Sequence, residues 1–548
     1  MLDWLNNLGQ KPDHPMYNIE EADRLLSGLP EDPLKALEEI TSWLATITSA
    51  AGFELATRIA VLNLVDETGQ PFEPELNRLY LTSRTLTEFE RLQRWQAALQ
   101  FWERLAQAYR ACFDEIRRDP RLLRAHQDQL PLLIVRMMGA HASHAKVLRL
   151  RFLQVPEHTW QTMFDLYRTS EDARCDNQRV TAYAGDTLQT TARHELLRAL
   201  MLDTASPESM LPQQTELAAR IAARFADAFL FKSKPEAGCN WYVDLAQPHR
   251  PELATGIATL QPTARFFGAG VVIAKIQEVV RRLTSEPGAR EKRFGEDYSS
   301  QQKLEVLNRV MHFWGEHPPY RSEPRRNAEP ELAVARGYKD ACRVVPRVEF
   351  RGWAEFVSTM DARLKEKLGF DPAAETTDVA KEKWLQQDVS TRGLGVVIPH
   401  TSESWVTLGT LCSLQANNQP SRIGVVRRLY RDSESRVHAG IEVLGSIPRA
   451  MWLRRVESGG QRVDHRATAD ASIYDYLNVI MLDQSANAAH SNELLLARGD
   501  FVAGLVYEAL TDEQRPYLRF EELLVPGEDF DRIRYSLHAR GQPTNGKI

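Results

Sequence analysis

Cysteine is scarce: Cys112, Cys175, Cys239, Cys342 and Cys412 are the five in 548 residues, widely spaced and never as Cys-x-x-Cys. That pattern excludes a disulfide scaffold and the common zinc and redox motifs, and it makes a reducing cytoplasm the simplest home. No apolar run approaches membrane-spanning length. Residues 1–7 carry an acid and amides where an export signal has a basic and then an apolar segment, so no membrane insertion and no export are expected. Long blocks of one charge sign are also missing at the formal net charge of -6, which does not favour non-specific nucleic-acid binding.

Catalytic signatures are equally sparse. There is no G-x-x-x-x-G-K-[ST] phosphate loop and no G-x-S-x-G elbow, and Gly393-Leu394-Gly395 lacks the third glycine and following helix of a dinucleotide site. His141-Ala142-Ser143-His144 has a metal-ligand spacing but no acidic partner one helical turn away, whereas zinc takes three or four ligands. The chain therefore reads as neither an enzyme nor a cofactor protein. A rival enzymatic site in the helical half would run through His141 or His144.

What is present is a hydrophobic fraction of 43% with 26% charged residues, the composition of an ordinary globular protein long enough for several domains. Helical periodicity dominates to about residue 316. Asp32-Pro33 is an N-cap with proline at the first helical position, followed by the stripe Leu34, Leu37, Ile40, Leu44 and Ile47. Between Thr85 and Arg118 the residues Phe89, Leu92, Trp95, Leu99, Trp102, Leu105, Tyr109 and Phe113 recur three or four apart, predicting a long helix. Further helical spacing occupies 131–153, 157–169, 187–202, 212–230 and 263–284, and Ser299 lies in a cap before Leu304, Leu307, Val310, Met311 and Trp314. One aromatic and β-branched interruption, 240–245, reads as a short strand.

After Pro318-Pro319 the pattern changes. Residues 317–330 form an arginine-bearing, proline-punctuated linker, and beyond them the period becomes two. Strands are expected at 332–334, 342–345, 384–389, 393–398, 405–414, 421–430, 437–444, 491–496, 501–510 and 516–525, with a helical insert near 350–383. The fold class is α+β multidomain: an all-α domain (1–316), an antiparallel β-barrel with the insert (331–455), and a further β-rich region (456–548).

The densest local chemistry is Asp388-Val389-Ser390-Thr391-Arg392-Gly393. Asp388 and Ser390 can satisfy backbone donors or a ligand, and Gly393 permits positive φ or close approach. Upstream, Arg321-x-x-x-Arg325 places two planar cations four apart on the linker, and such cations grip phosphate and stack on purines. Arg326, Arg427 and Arg428 add positive potential or are solvated surface arginines. Arg343 with Arg347, and Arg347 with Arg351, have the same spacing. Arg321 and Arg325 are favoured because Glu331-Leu332-Ala333-Val334-Ala335 supplies a strand after them; without a helical insert, Arg343 and Arg347 become the better pair.

On Arg321-x-x-x-Arg325, Asp388-x-Ser390-x-x-Gly393 and the strand pair 423–428 with 439–444, the chain resembles the PilZ family of cyclic di-GMP receptors. The resemblance does not cover the helical half. It implies a PilZ-like barrel in which Arg321, Arg325, Arg326, Asp388, Ser390 and Gly393 hold cyclic di-GMP. It also implies a receptor in which the linker closes over the ligand and the helical domain, reoriented, reports to an unidentified protein partner. A barrel that has lost ligand binding and acts only as an interaction adaptor is the alternative.

Overall fold

The computed structural model describes residues 14–538 except 51, 186–187, 256–260, 287–290, 320–325, 328–330, 349, 352–378, 391, 418, 446, 457–475, 483–491 and 513–514. The chain divides into two compact units, 1–320 and 321–548.

The first unit is built on helices. In chain order they are α1 (Ile19–Leu26), α2 (Pro33–Ile47), α3 (Leu55–Gly69), α4 (Phe72–Thr82), α5 (Glu88–Arg118) and α6 (Pro120–Ala125). They continue as α7 (Leu130–Arg149), α8 (Glu157–Asp172), α9 (Ala192–Thr204), α10 (Pro212–Arg224), α11 (Val272–Ser285) and α12 (Ser300–Trp314). The local signals act as the sequence suggests. Asp32 accepts from the Lys35 N–H at 3.0 Å with Pro33 at the first helical position, and Thr87 with Glu90 and Ser299 with Gln302 form reciprocal capping boxes on α5 and α12. Each such cap is worth about 1 kcal/mol. From α5, Trp95, Trp102, Leu105, Tyr109 and Phe113 enter one continuous core, whereas Phe89 at the helix start stays 67% exposed.

Helix α3 shows no stripe because it is buried on several sides at once, through Leu55, Ile59, Val61, Leu62 and Val65. The unit is also not purely helical. Strands β1 (Leu230–Lys232), β2 (Trp241–Asp244), β3 (Glu252–Leu253) and β4 (Ala264–Gly268) form an antiparallel sheet in the order β1-β4-β2-β3. β2 is the strand expected at 240–245. β4 occupies the start of the stretch read as helix from 263; Phe266 and Phe267 pack into cores there, and α11 begins only after Gly270 turns the chain at φ +51°.

The second unit holds two closed antiparallel barrels. Strands β5 (Arg326–Asn327), β6 (Glu331–Arg336), β7 (Glu382–Val389), β8 (Gly393–Ile398), β9 (Leu411–Ala416), β10 (Arg422–Arg431) and β11 (Val437–Gly445) run in the order β5-β7-β6-β9-β10-β11-β8. The ring closes where β7 also pairs with β8. The second barrel is β12 (Arg449–Arg455), β13 (Tyr476–Met481), β14 (Glu493–Ala497), β15 (Val506–Ala509), β16 (Tyr517–Pro526) and β17 (Phe530–His538), in the ring β12-β13-β14-β17-β16-β15. In each ring the strands that would edge an open sheet pair with one another, β7 with β8 and β12 with β15.

A short helix, α13 (Gly337–Val344), joins the two barrels, so Cys342-Arg343-Val344-Val345 is not a strand. The β-branched pair suggested one, but Tyr338, Ala341, Cys342 and Val345 fall on one helical face. That face packs against Leu411, Ile423 and Val425 of the first barrel and Ala450, Ile480, Leu495 and Phe530 of the second. The Tyr338 N–H donates to Asp529 at 2.6 Å, and its hydroxyl donates to the carbonyls of Asn478 and Leu495. The helical insert expected near 350–383 falls mostly outside the described residues, which resume at Val379 just before β7.

Candidate functional site

The turn between β7 and β8 is shaped by a bulge. Register runs Gln386 to Val396 and then Asp388 to Gly395, so Gln387 is the extra residue. Trp384 and Gln386 face inward, and after the bulge Asp388 is set opposite Gly395. The Asp388 carboxylate lies directly over the α-carbon of Gly395: a Cβ there would fall 2.5 Å from Oδ1 and 2.8 Å from Cγ. Only glycine leaves that space open.

Ser390 closes the turn, donating from its N–H to the Gly393 carbonyl at 2.8 Å and from its hydroxyl to the same oxygen at 3.2 Å. Gly393 does not use positive φ. Its missing side chain instead accommodates β11, since a Cβ would sit 3.1 Å from the Ile441 carbonyl oxygen. The Arg392 carbonyl accepts from the Val443 N–H at 3.0 Å, tying the turn to the same strand.

Arg326 and Asn327 reach this place from the other side of β7, pairing in register with Val389 and Asp388. Asp388, Ser390, Gly393 and Arg326 are therefore neighbours. Arg321 and Arg325 lie outside the described residues, the latter one residue before Arg326 in the chain. Arg343 and Arg347 lie elsewhere in this unit: Arg343 is on α13, 3.6 Å from Asp340, and the Arg347 guanidinium sits 5.9 Å from the centre of the Trp452 ring in the second barrel. Arg427 is engaged by Glu442 at 2.7 Å, and Arg428 packs its Cβ over Gly440.

Three features beside the turn carry no local sequence signal. Gly395 is one. A second is a polar chain in which Gln387 Oε1 meets His438 Nδ1 at 3.0 Å and His438 Nε2 meets Asp432 at 2.8 Å, while Tyr430 stacks on the imidazole with centroids 4.5 Å apart. The His438 bond is the main cause that holds the Asp432 carboxyl well below the usual carboxylate range. The third is a cavity of about 200 Å³ lined by Gln386, Val389, Leu394, Leu414 and Arg422 among others, directly behind the turn. The Arg422 side chain makes no hydrogen bond or ion pair with any described residue, its backbone pairing with Leu414. Register explains why none was visible: the Gln387 bulge decides that Asp388 meets Gly395, and the cavity gathers residues of β7, β8, β9 and β10.

In the helical unit, burial drives the imidazoles of His141 and His144 down, to about 3 and about 4 respectively, keeping both neutral at physiological pH. Among the described residues no three His, Cys, Asp or Glu side chains group as a metal site, and no helix is long and apolar enough to cross a membrane. All five cysteines are buried free thiols.

Residues 20–236 match the family described as the N-terminal domain of the cyclic-di-GMP receptor FimW. The match lies wholly within the helical unit and contains none of the residues at the β7–β8 turn. No curated protein matches the chain.

Proposed function

We propose that this protein is a cytoplasmic receptor for cyclic di-GMP, with a PilZ-like first barrel in which Asp388 and Ser390 fix one side of the ligand and Arg321, Arg325 and Arg326 the other. The observation that carries the reading is the pairing of Arg326 and Asn327 with Val389 and Asp388, which brings the chain immediately after Arg321-x-x-x-Arg325 alongside the Asp388 strand. Guanidinium groups would then meet phosphate and guanine faces from one side while the turn's polar groups meet them from the other.

A second support is independent. The FimW family match covers 20–236, whereas the motif residues lie at 321–393, so two non-overlapping parts of the chain lead to the same ligand. The role is binding and not turnover. Residue 321 is also where the second unit begins, so a ligand held by Arg321 and Arg325 would act at the covalent junction of the two units. The helical unit would pass that change to a protein partner, provided the partner distinguishes the two states.

Calorimetric titration of the full chain with cyclic di-GMP tests the reading. Saturable heat is expected; folded protein giving none into the high micromolar range would refute it.

A further inference from the structure

The helical unit contains a cavity of about 760 Å³, between α5, α7, α9, the end of α10 and the loop before α9. Its size falls in the range of small-molecule sites, roughly 300–1,000 Å³. Four guanidinium groups line it, Arg136, Arg179, Arg198 and Arg224, against two carboxylates, Glu195 and Asp227.

The four arginines divide into two kinds. Arg136 and Arg198 are structural. Arg136 donates to the Ala182 carbonyl at 2.9 and 2.7 Å, pairs with Glu67 at 2.5 Å and lies 5.0 Å over the Tyr183 ring. Arg198 donates to the Ser143 hydroxyl at 2.8 Å and sits 3.0 Å from Glu195. By contrast, the side chains of Arg179 and Arg224 make no hydrogen bond or ion pair with any described residue, although both line the same cavity.

A buried donor of the lining, Trp102 Nε1, also lacks a hydrogen-bond partner among the described residues. Buried donors and acceptors left this way are uncommon in folded proteins and mark places where water or a ligand completes the bonding.

We propose that this cavity is a binding site for a phosphorylated small molecule of about nucleotide size, whose phosphate is taken by Arg179 and Arg224. A phosphate monoester carries about two negative charges near neutral pH, which two unpaired guanidiniums match and a single carboxylate does not. The volume beyond the phosphate, bordered by Trp102, Tyr183 and Leu188, accommodates the apolar or ring-bearing remainder. The site is separate from the β7–β8 turn and does not rest on the receptor reading.

The test uses the full chain carrying Asp388→Ala, so that the barrel turn is compromised, titrated separately with GMP and with ribose 5-phosphate. At least one probe is expected to bind, with affinity reduced about tenfold or more when Arg179→Ala and Arg224→Ala are added, since each removes a charge-assisted contact. Arg179 is exposed and Arg224 half-buried, and neither side chain has a partner among the described residues, so the variants should fold; a circular dichroism spectrum matching the parent checks this. No binding of either probe up to about 10 mM, or binding unchanged in the arginine variant, would overturn the proposal. Failure here leaves cyclic di-GMP binding by the wild-type chain untouched, so the two readings fail separately.

Discussion

Asp388 and Gly395 face each other across the β7–β8 ladder so closely that the carboxylate occupies the volume a side chain at position 395 would need. The aspartate's orientation is thus fixed by a residue on the next strand as well as by its own turn.

Gly395→Ala is therefore expected to push the Asp388 carboxylate out of place. With Oδ1 only 2.5 Å from the added Cβ, the overpacking should destabilise the barrel by about 1–3 kcal/mol. Chemical denaturation measures that loss, and calorimetry should show cyclic di-GMP affinity falling with it.

Arg422 offers a finer probe. It borders the cavity behind the turn without a described partner, so Arg422→Ala should leave thermal stability nearly unchanged. A ligand phosphate or carbonyl that uses it would lose about 3- to 10-fold in affinity, read from the same titration.

A pH effect is expected in the helical unit. Asp66 is fully buried, receives hydrogen bonds from Tyr109 at 2.7 Å and from Tyr183 and Gln70, and is pushed up from 3.8 to about 6, chiefly by desolvation. The folded state holds this proton more tightly than the unfolded chain does. The stability that Asp66 contributes is therefore full below about pH 4 and lost as pH rises through about 6, by about 3 kcal/mol at most. Asp66→Asn does not titrate, so wild type should be at its best relative to the variant near pH 4 and lose ground to it toward pH 7. Denaturation midpoints of both proteins at these two pH values check the sign.

The first barrel was legible because its signals are local. Asp388, Ser390 and Gly393 announce a turn, and the alternating residues of β8, β10 and β11 announce strands. The second barrel was half legible. β14, β15 and β16 were expected, but β12, β13 and β17 were not. In β17 the buried Asp531, which accepts from the Gly499 N–H at 2.8 Å, and the exposed Leu537 invert the usual inside and outside chemistry. Helix α3 hid for the opposite reason, being apolar around much of its circumference. At the site itself, the Gln387 bulge and the Gly395 contact depend on the register between β7 and β8, and the Arg422 cavity on which strands gather around it, neither of which residue type alone specifies.

The docking of α13 can be tested through Asp529, which accepts from the Tyr338 N–H and lies against Gly337 at φ +73°. Asp529→Ala leaves that amide without its acceptor and should cost about 1–3 kcal/mol. Loss of hydrogen-exchange protection at Tyr338 is the readout.

The receptor reading is tested most directly by titrating cyclic di-GMP into wild type and Asp388→Ala side by side, with matching circular dichroism spectra to show that both are folded. The expected result is saturable binding by wild type and a loss of about tenfold or more in the variant, the scale of one charge-assisted hydrogen bond. Equal affinity in the two proteins would contradict the placement of the ligand at the β7–β8 turn.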